Sequence, residues 1–482
     1  MGCFIVGSSG WRRCITGPRA VLRRLPLPRV GQLTTGRGGP QATAPRAGAL
    51  VVGLAVSGEA VARRLLKDHV RVIAVDDRAD ESVRKRAANL DIELVEAPTP
   101  ATLAELAGRA GLVVVSPGVP ANHPVFALGD QAHVVSEVEV AAGWARAPLV
   151  AVTGTNGKTT VTTLVRQMLA DSGVRSVAAG NIGVPLADAV DGDADVIVVE
   201  VSSFQLAFTE RFRPSVAVWL NVAENHLDWH PSVAHYVESK SRVWANQRGG
   251  DQAVANADDP VVMAAAASAP VPVITFGLGQ GSYHVDQRAL VTPTGERIVG
   301  VEELPRAFPH DLVNALAATA ASLAAGATLD GCGAALRRFA GLPHRLELVR
   351  ESGGVRYLDD SKATTPAAVL AALSGVDSAV LIAGGRNKGL QLDSLRDAAD
   401  RVQAVVAIGE AAPQVEAAFA GAAPVMTATS MDEAVAVAGD LARPGDVVLL
   451  SPGCASFDWY RSYAERGDDF ARAVRARTGG GP

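Results

Sequence analysis

From residue 49 onward the chain alternates short β-branched runs with stretches of helical period, and that alternation restricts it to parallel sheets. ALVVGLA, VRVIAVDD and LVVVSPGV are separated by helix-like segments over 59–68 and 80–89. LVAVTG, DVIVVEVSS, VAVWLNV, DQAVANAD and VITFG follow the same logic and end near a helix over 312–326. YLDDS, AVLIAGG, AVVAIG and DVVLLSPG repeat it a third time. A strand, a helix and a second strand make a crossover that pairs strands in parallel. Three consecutive α/β domains are expected, over 49–147, 148–341 and 342–482.

A chain of 482 residues with 48% hydrophobic and 20% charged side chains can bury several cores, which excludes disorder as its main state. The uncharged segment LVNALAATAASLAAGATL (312–329) invites a membrane reading. It is mostly alanine, broken by Asn, Ser, Thr and Gly, so a buried helix is expected and no membrane insertion. Cys3, Cys14, Cys332 and Cys454 show neither metal-ligand spacing nor a disulfide framework, as in a reducing cytoplasm. The first 48 residues stand apart, with eight arginines, no lysine and no acid. Such a leader resembles an organelle transit peptide. The Ala, Arg and Gly bias of the whole chain fits better a disordered tail, or translation of GC-rich DNA upstream of the true start. Without the leader the formal charge moves from −5 to −13, because 37 basic side chains then face 50 acidic ones. The acidic remainder offers no basic patch for nucleic acid.

Two loops invite phosphate. Gly53-Leu-Ala-Val-Ser-Gly58 follows a strand and opens a helix, and Asp76 ends the next strand, close to the dinucleotide pattern G-x-G-x-x-G with its ribose-binding acid. An NAD-dependent oxidoreductase is therefore one reading. Against it, the second glycine, which lets a pyrophosphate approach, is Ala55; an anion at this helix start stays open. The second loop is TGTNGKTT (153–160), one glycine short of G-x-x-x-x-G-K-[ST], since Val152 stands where the first glycine is due. Backbone N–H groups of Gly154, Thr155, Asn156 and Gly157 can cradle phosphates, Lys158 can reach a transferring phosphate, and Thr159 or Thr160 can ligate Mg²⁺. Glu200 ends the apolar run VIVVE, where a carboxylate faces the ligand crevice. His226 follows VAVWLNV into the same crevice, whereas Lys240 reads by itself as a solvated helix lysine.

With GNIG (180–183), EVSSFQL (200–206), NVAENHLDWH (221–230), GLPHRLELV (341–349), DDSKATTP (359–366), AGGRNKG (383–389) and LLSPGCASFDWY (449–460), the chain resembles the Mur ligases over about 49–475. The later motifs are similar to those of the branch that adds D-glutamate to UDP-N-acetylmuramoyl-L-alanine in peptidoglycan synthesis. The resemblance implies Rossmann-like first and last domains flanking a central P-loop ATPase-like domain, in a cytoplasmic, monomeric enzyme. It implies ATP and two Mg²⁺ ions, one held by Thr159 and Glu200, the second by His226 and Lys240, with a CO₂-derived carbamate on Lys240. Asn314, Arg345 and Asp360 would complete the ATP site; Asp311 stands where the family usually has Asn. Lys362, Thr364, Lys388, Ser456 and Tyr463 would receive D-glutamate, with Tyr463 where a Phe is more usual. Ser57, Asp76, Asp77, Arg78, Ser116, Gly118 and Asn181 would line the path of the UDP-sugar. Other Mur ligases are disfavoured because no D-N-P-R-type motif occurs. Folylpolyglutamate synthetase shares the loop but needs no UDP-reading first unit.

Overall fold

The computed structural model describes residues 48–226 and 229–479; the arginine-rich leader, Cys3 and Cys14 lie outside them. Three largely parallel sheets follow one another along the chain. The first runs Glu93–Glu96, Val72–Asp76, Ala49–Val52, Leu112–Val115, Val134–Ser136, all parallel. The central sheet runs Val273–Phe276, Gln252–Asn256, Val216–Trp219, Leu149–Thr153, Val196–Glu200, Ser176–Gly180. In the third, Glu347–Ser352 pairs antiparallel with Val355–Asp359, and Val447–Gly453, Ala379–Gly384, Val402–Ile408 and Val425–Ala428 continue it in parallel. Central strands such as Leu149–Thr153 and Ala379–Gly384 are buried at every residue, as expected of strands with helices on both faces.

Every strand of these sheets absent from the sequence reading is an edge: Glu93–Glu96, Val134–Ser136, Ser176–Gly180, Glu347–Ser352 and Val425–Ala428. An edge strand has one neighbour and tolerates charge, as ELVE and ELVRES do, so the apolar run that marks a strand is missing. A separate antiparallel sheet, His284–Asp286, Ala289–Val291 and Arg297–Gly300, also went unread.

The alanine-rich segment forms helix Pro309–Ala324, started by proline at its first position and buried from Asn314 to Ser322. It shares one core with helix Lys158–Asp171 and with strands Leu149–Thr153 and Val216–Trp219. Small side chains let these helices pack closely, and no described helix is long and apolar enough to cross a membrane. Cys332 and Cys454 are free and buried.

Two glutamates tie the first sheet's last helix, Glu137–Trp144, to the central region. Glu139 accepts backbone N–H bonds from Glu210, Arg211 and Phe212 at 2.8–3.0 Å. Glu137, 4% exposed, accepts from Gln205 Nε2 at 2.6 Å through one oxygen, while its other oxygen has no partner. Burial pushes the Glu137 carboxyl up to about 7 from 4.5. The folded protein thus holds this proton where the unfolded chain has released it, and stability falls as pH rises between about 4.5 and 7. Glu137→Gln keeps the acceptor and removes that loss. Urea melts should find the variant near wild-type stability at pH 4 and more stable by up to about 3 kcal/mol at pH 8.

Candidate active site

In the central sheet the chain leaves strand Leu149–Thr153 for the edge strand Ser176–Gly180, returns to Val196–Glu200, then crosses to Val216–Trp219 on the other side. That reversal opens a crevice at the carboxyl ends of three adjacent strands. Thr153, Glu200 and Leu220 stand at its floor. The loop above it is set by two glycines with positive φ, Gly154 at 151° and Gly157 at 82°. A Cβ on Gly157 would lie 2.5 Å from Asn314 Oδ1, and one on Gly154 would lie 2.9 Å from Leu220 Cβ. No side chain fits at either place.

Asn221, unread in the sequence, organises this loop. Its Oδ1 accepts the N–H of Thr155 at 3.0 Å and of Asn156 at 2.8 Å, and its Nδ2 donates to the Asn156 carbonyl at 3.2 Å. Its place directly after the strand run VAVWL was the available clue. Thr155 Oγ1 adds contacts to Tyr236 Oη at 2.9 Å and to the Ala223 N–H at 2.9 Å.

Lys158 and Lys240 both donate to the carbonyl of Gly154, at 3.0 and 2.8 Å. Lys158 also reaches the Thr155 carbonyl at 2.9 Å, and Lys240 lies 4.7 Å from the centre of the Tyr236 ring. The solvated lysine of the bare sequence reading is thus corrected: Lys240 is 1% exposed, on helix Val233–Ser241. Burial, then the Lys158 charge, hold its pKa well below the usual lysine value, against the opposing pull of Glu200. Burial also lowers Lys158, again opposed by Glu200. Glu200, 2% exposed, accepts from Asn181 Nδ2 at 2.8 Å through Oε1, and its Oε2 has no hydrogen-bond partner. Asn181 therefore stands beside Glu200 and the phosphate loop. His226 has a positive φ of 57° and sets its ring edge-on to Phe204, 4.7 Å between centroids. Thr159 is half-buried in the first turn of helix Lys158–Asp171. Thr160, about 100° further round the helix, lines a small cavity with Leu164, Arg306, Asp311 and Phe339.

The third sheet delivers a second group of charges. Asp360, 8% exposed, accepts from Ser451 Oγ at 2.8 Å, and burial pushes its carboxyl up to about 7 despite Ser451 and Arg345. Arg345 is lowered by burial and raised by Glu200 and Asp360. Lys362 lies 3.8 Å over the Tyr463 ring; burial, then Arg345, push it down to about 8, with Lys158 and Lys388 adding to the effect. Lys158, Glu200, Arg345 and Lys362 thus act on one another across the central and third sheets. The loops bearing Lys388 and Ser456 are joined by paired backbone bonds between Arg386 and Ala455 at 2.8 and 3.0 Å, with Lys388 5.5 Å from the Phe457 ring. Ser456 is buried, and Thr364 half-buried just before the helix Pro366–Leu373. Arg466, 1% exposed and also unread, donates to the Ser361 hydroxyl and carbonyl at 2.9 and 2.8 Å and to the Cys454 carbonyl at 3.2 Å. It clamps two of these loops together, but its sequence context is an ordinary charged helix.

The first sheet's residues form a separate group. Asp76 accepts the N–H of Leu54 and of Arg78, both at 3.0 Å, so its carboxylate latches the GLAVSG loop. Ser116 Oγ donates to the Gly53 carbonyl at 2.6 Å. Asp77 meets His123 Nε2 at 3.2 Å. Ser57 is half-buried in the first turn of helix Val56–Lys67, and Arg78 and Gly118 are exposed. Asp76 and Ser116 thus also hold the loop itself, which the sequence pattern could not reveal.

Family models match in three consecutive stretches. The Mur ligase MurD-like N-terminal domain covers 47–136, the Mur ligase middle domain 152–322, and the Mur ligase glutamate ligase domain 344–454. A UDP-N-acetylmuramoylalanine--D-glutamate ligase of Frankia casuarinae is 44% identical over 447 residues, covering 89% of this chain and 94% of that protein. The enzyme of the same name from Geobacter metallireducens is 40% identical, covering 89% and 97%. The chain belongs to the Mur ligase family. A pseudomurein peptide ligase type C from Methanothermus fervidus, 18% identical, shares the fold of this Mur ligase with a TM-score of 0.58, over 89% of this chain and 99% of that one.

Asn221→Ala should release the loop. The Asn156 N–H loses its acceptor, an unsatisfied group that costs about 1–3 kcal/mol, and thermal melts should show the loss. The extra stabilisation by a nucleoside triphosphate should shrink in the same melts, its dissociation constant rising about tenfold.

Proposed function

We propose that the protein is an ATP-dependent ligase that joins D-glutamate to UDP-N-acetylmuramoyl-L-alanine, an amide-forming step of peptidoglycan synthesis. The observation that carries this is the identity of 40–44% over nearly the whole chain with ligases of that name. A free carboxylate is a poor acyl donor. ATP therefore transfers its γ-phosphoryl group to the L-alanyl carboxylate, giving an acyl phosphate and ADP. The amine of D-glutamate attacks the acyl carbon, loses a proton, and the tetrahedral adduct expels phosphate to leave the amide. Every reactant is anionic, so the site needs cations more than a protein nucleophile.

Lys158 supports the phosphates. Its ammonium, now turned onto the Gly154 and Thr155 carbonyls, exchanges those contacts for phosphate oxygens. The loop 154–157 wraps the β- and γ-phosphates with the Gly154 and Gly157 amides, since those of Thr155 and Asn156, expected from the sequence to join them, are taken by Asn221, while Asn314, Arg345 and Asp360 hold the nucleoside. Lys362, Lys388, Thr364 and Ser456 receive the two carboxylates of D-glutamate, with Tyr463 orienting Lys362. Ser57, Asp77, Arg78 and Gly118 are open to the UDP-sugar at the first sheet.

The donor set fits Mg²⁺, because the buried Glu200 Oε2 lacks a partner and a hard cation takes carboxylate oxygens. Bound there with Thr159, the ion would neutralise phosphate charge, and His226 with Lys240 would hold a second. Lys240 fits the expected carbamate for a different reason. Burial lowers its pKa well below the usual lysine value and so eases release of the free amine, which is a nucleophile: the amine adds to CO₂, a C–N bond forms, one proton leaves to solvent, and an oxygen ligand stands where the lysine nitrogen was.

The reaction is tested by phosphate release from purified protein with ATP, Mg²⁺ and the UDP-sugar, comparing D-glutamate with L-glutamate, L-alanine, a diamino acid and no acceptor. Release should require both the UDP-sugar and D-glutamate; dependence on another acceptor would move the protein to a sister specificity. For the carbamate, Lys240→Ala should lose activity and regain part of it in short carboxylates such as acetate. Full activity without rescue refutes that role.

A further inference from the structure

The segment 341–346 joins the central region to the third sheet and is held in a conformation its residues do not favour. His344 and Leu346, neither of them glycine, both have positive φ, 59° and 49°. Left-handed backbone at such residues persists where surrounding contacts over-determine it. Arg345 lies between them, with its side chain among Glu200, Asp360 and Tyr463.

His344 is held by Glu347, which accepts its N–H at 3.0 Å, by Asp359 on its ring at 2.7 Å and by the Lys362 N–H on its carbonyl at 3.1 Å, and the two carbonyls that follow are held by Arg306. Arg306 Nη1 donates to the carbonyl of Arg345 at 2.6 Å and to that of Leu346 at 3.3 Å. Its Nε and Nη2 grip both oxygens of Asp311 at 2.7 and 2.9 Å, and its guanidinium sits 5.4 Å from the centre of the Phe308 ring. Arg306 passes so close to Gly341 that a Cβ there would meet Nη1 at 2.6 Å. Phe308 packs against the core beneath the third sheet and leaves no space for a side chain at Gly375. The N–H side of the Arg345–Leu346 peptide lies towards the Asp360 carboxylate and opposes the rise in its pKa. One strained peptide thus links Arg306 on the central side to Asp360 on the other.

We propose that Arg306, fixed by Asp311, is a positioning residue: its fork on the carbonyls of Arg345 and Leu346 sets the Arg345 and Asp360 side chains for the nucleotide. This rests on the nucleotide reading given above and adds two residues that touch no substrate. It also gives Asp311 a task that asparagine could not perform, since a bidentate charged pair needs two carboxylate oxygens.

Calorimetric titration of Mg-ATP into the purified full chain, without acceptor, tests the inference alongside steady-state KM and kcat. Arg306→Met should weaken Mg-ATP binding about tenfold, the loss of one charge-assisted contact, and raise the KM for ATP while leaving that for the UDP-sugar unchanged. Arg306→Lys, which keeps the charge without the fork, should recover part of the loss. Asp311→Asn should weaken binding about threefold, and it decides the matter if the methionine variant fails to fold. Affinity for Mg-ATP within twofold of wild type in a folded Arg306→Met, whatever its melting temperature, overturns the proposal, as does an equal rise in every KM. Absence of D-glutamate dependence in the ligase assay sinks the acceptor assignment alone, because the titration needs no acceptor.

Discussion

The carboxylate of Glu200, nearly sealed at the end of its strand, acts on Lys158, Lys240, Arg345 and Lys362, drawn from both sides of the crevice. Such a charge is tolerated inside a protein only with partners. Asn181 satisfies one oxygen and the surrounding cations answer the rest. Without it, several lysines and an arginine would crowd one another with nothing between them. The loop that carries Lys158, the helix that carries Lys240 and the connecting segment that carries Arg345 all find their places around this negative centre. The same arrangement leaves an excess of positive charge, which suits substrates that arrive as phosphates and carboxylates.

Much of the fold was legible because interior parallel strands must be apolar on both faces, so LVAVT and AVLIAG declare themselves without context. The edge strands did not, since ELVE and VMTA have solvent on one flank and obey weaker rules. In the site, residues whose type is odd for their place were readable: a lysine directly after a glycine at a helix start, a glutamate closing an apolar strand, two further lysine-bearing loops at strand ends. What escaped were residues that act on backbone. Asn221, Arg466 and Arg306 hold carbonyls and amides of distant segments, and nothing in the neighbouring sequence names those partners. Lys240 looked ordinary because burial of one helix face is a tertiary fact. Asp76 shows a second task that the sequence did not declare, since its oxygens also accept two backbone amides of the first sheet's loops.

The junctions between sheets differ in character. Between the first and central regions, Glu139 gathers three consecutive amides and Glu137 meets Gln205, a contact network built of hydrogen bonds in a buried setting. Between the central and third regions, Arg306 and Phe308 both reach across and the connecting backbone is strained. The first kind of junction resists separation because Glu139 would leave three amides bare. The second joins an apolar contact to a charged one.

The contact of Asn314 with Gly157 makes two positions, 157 residues apart, into one unit of heredity. A methyl group at 157 collides with the amide oxygen at 314. Position 157 cannot gain a side chain while Asn314 stays. A library that varies 157 alone would find it frozen, and only paired changes at 157 and 314 would reveal how much freedom the loop retains.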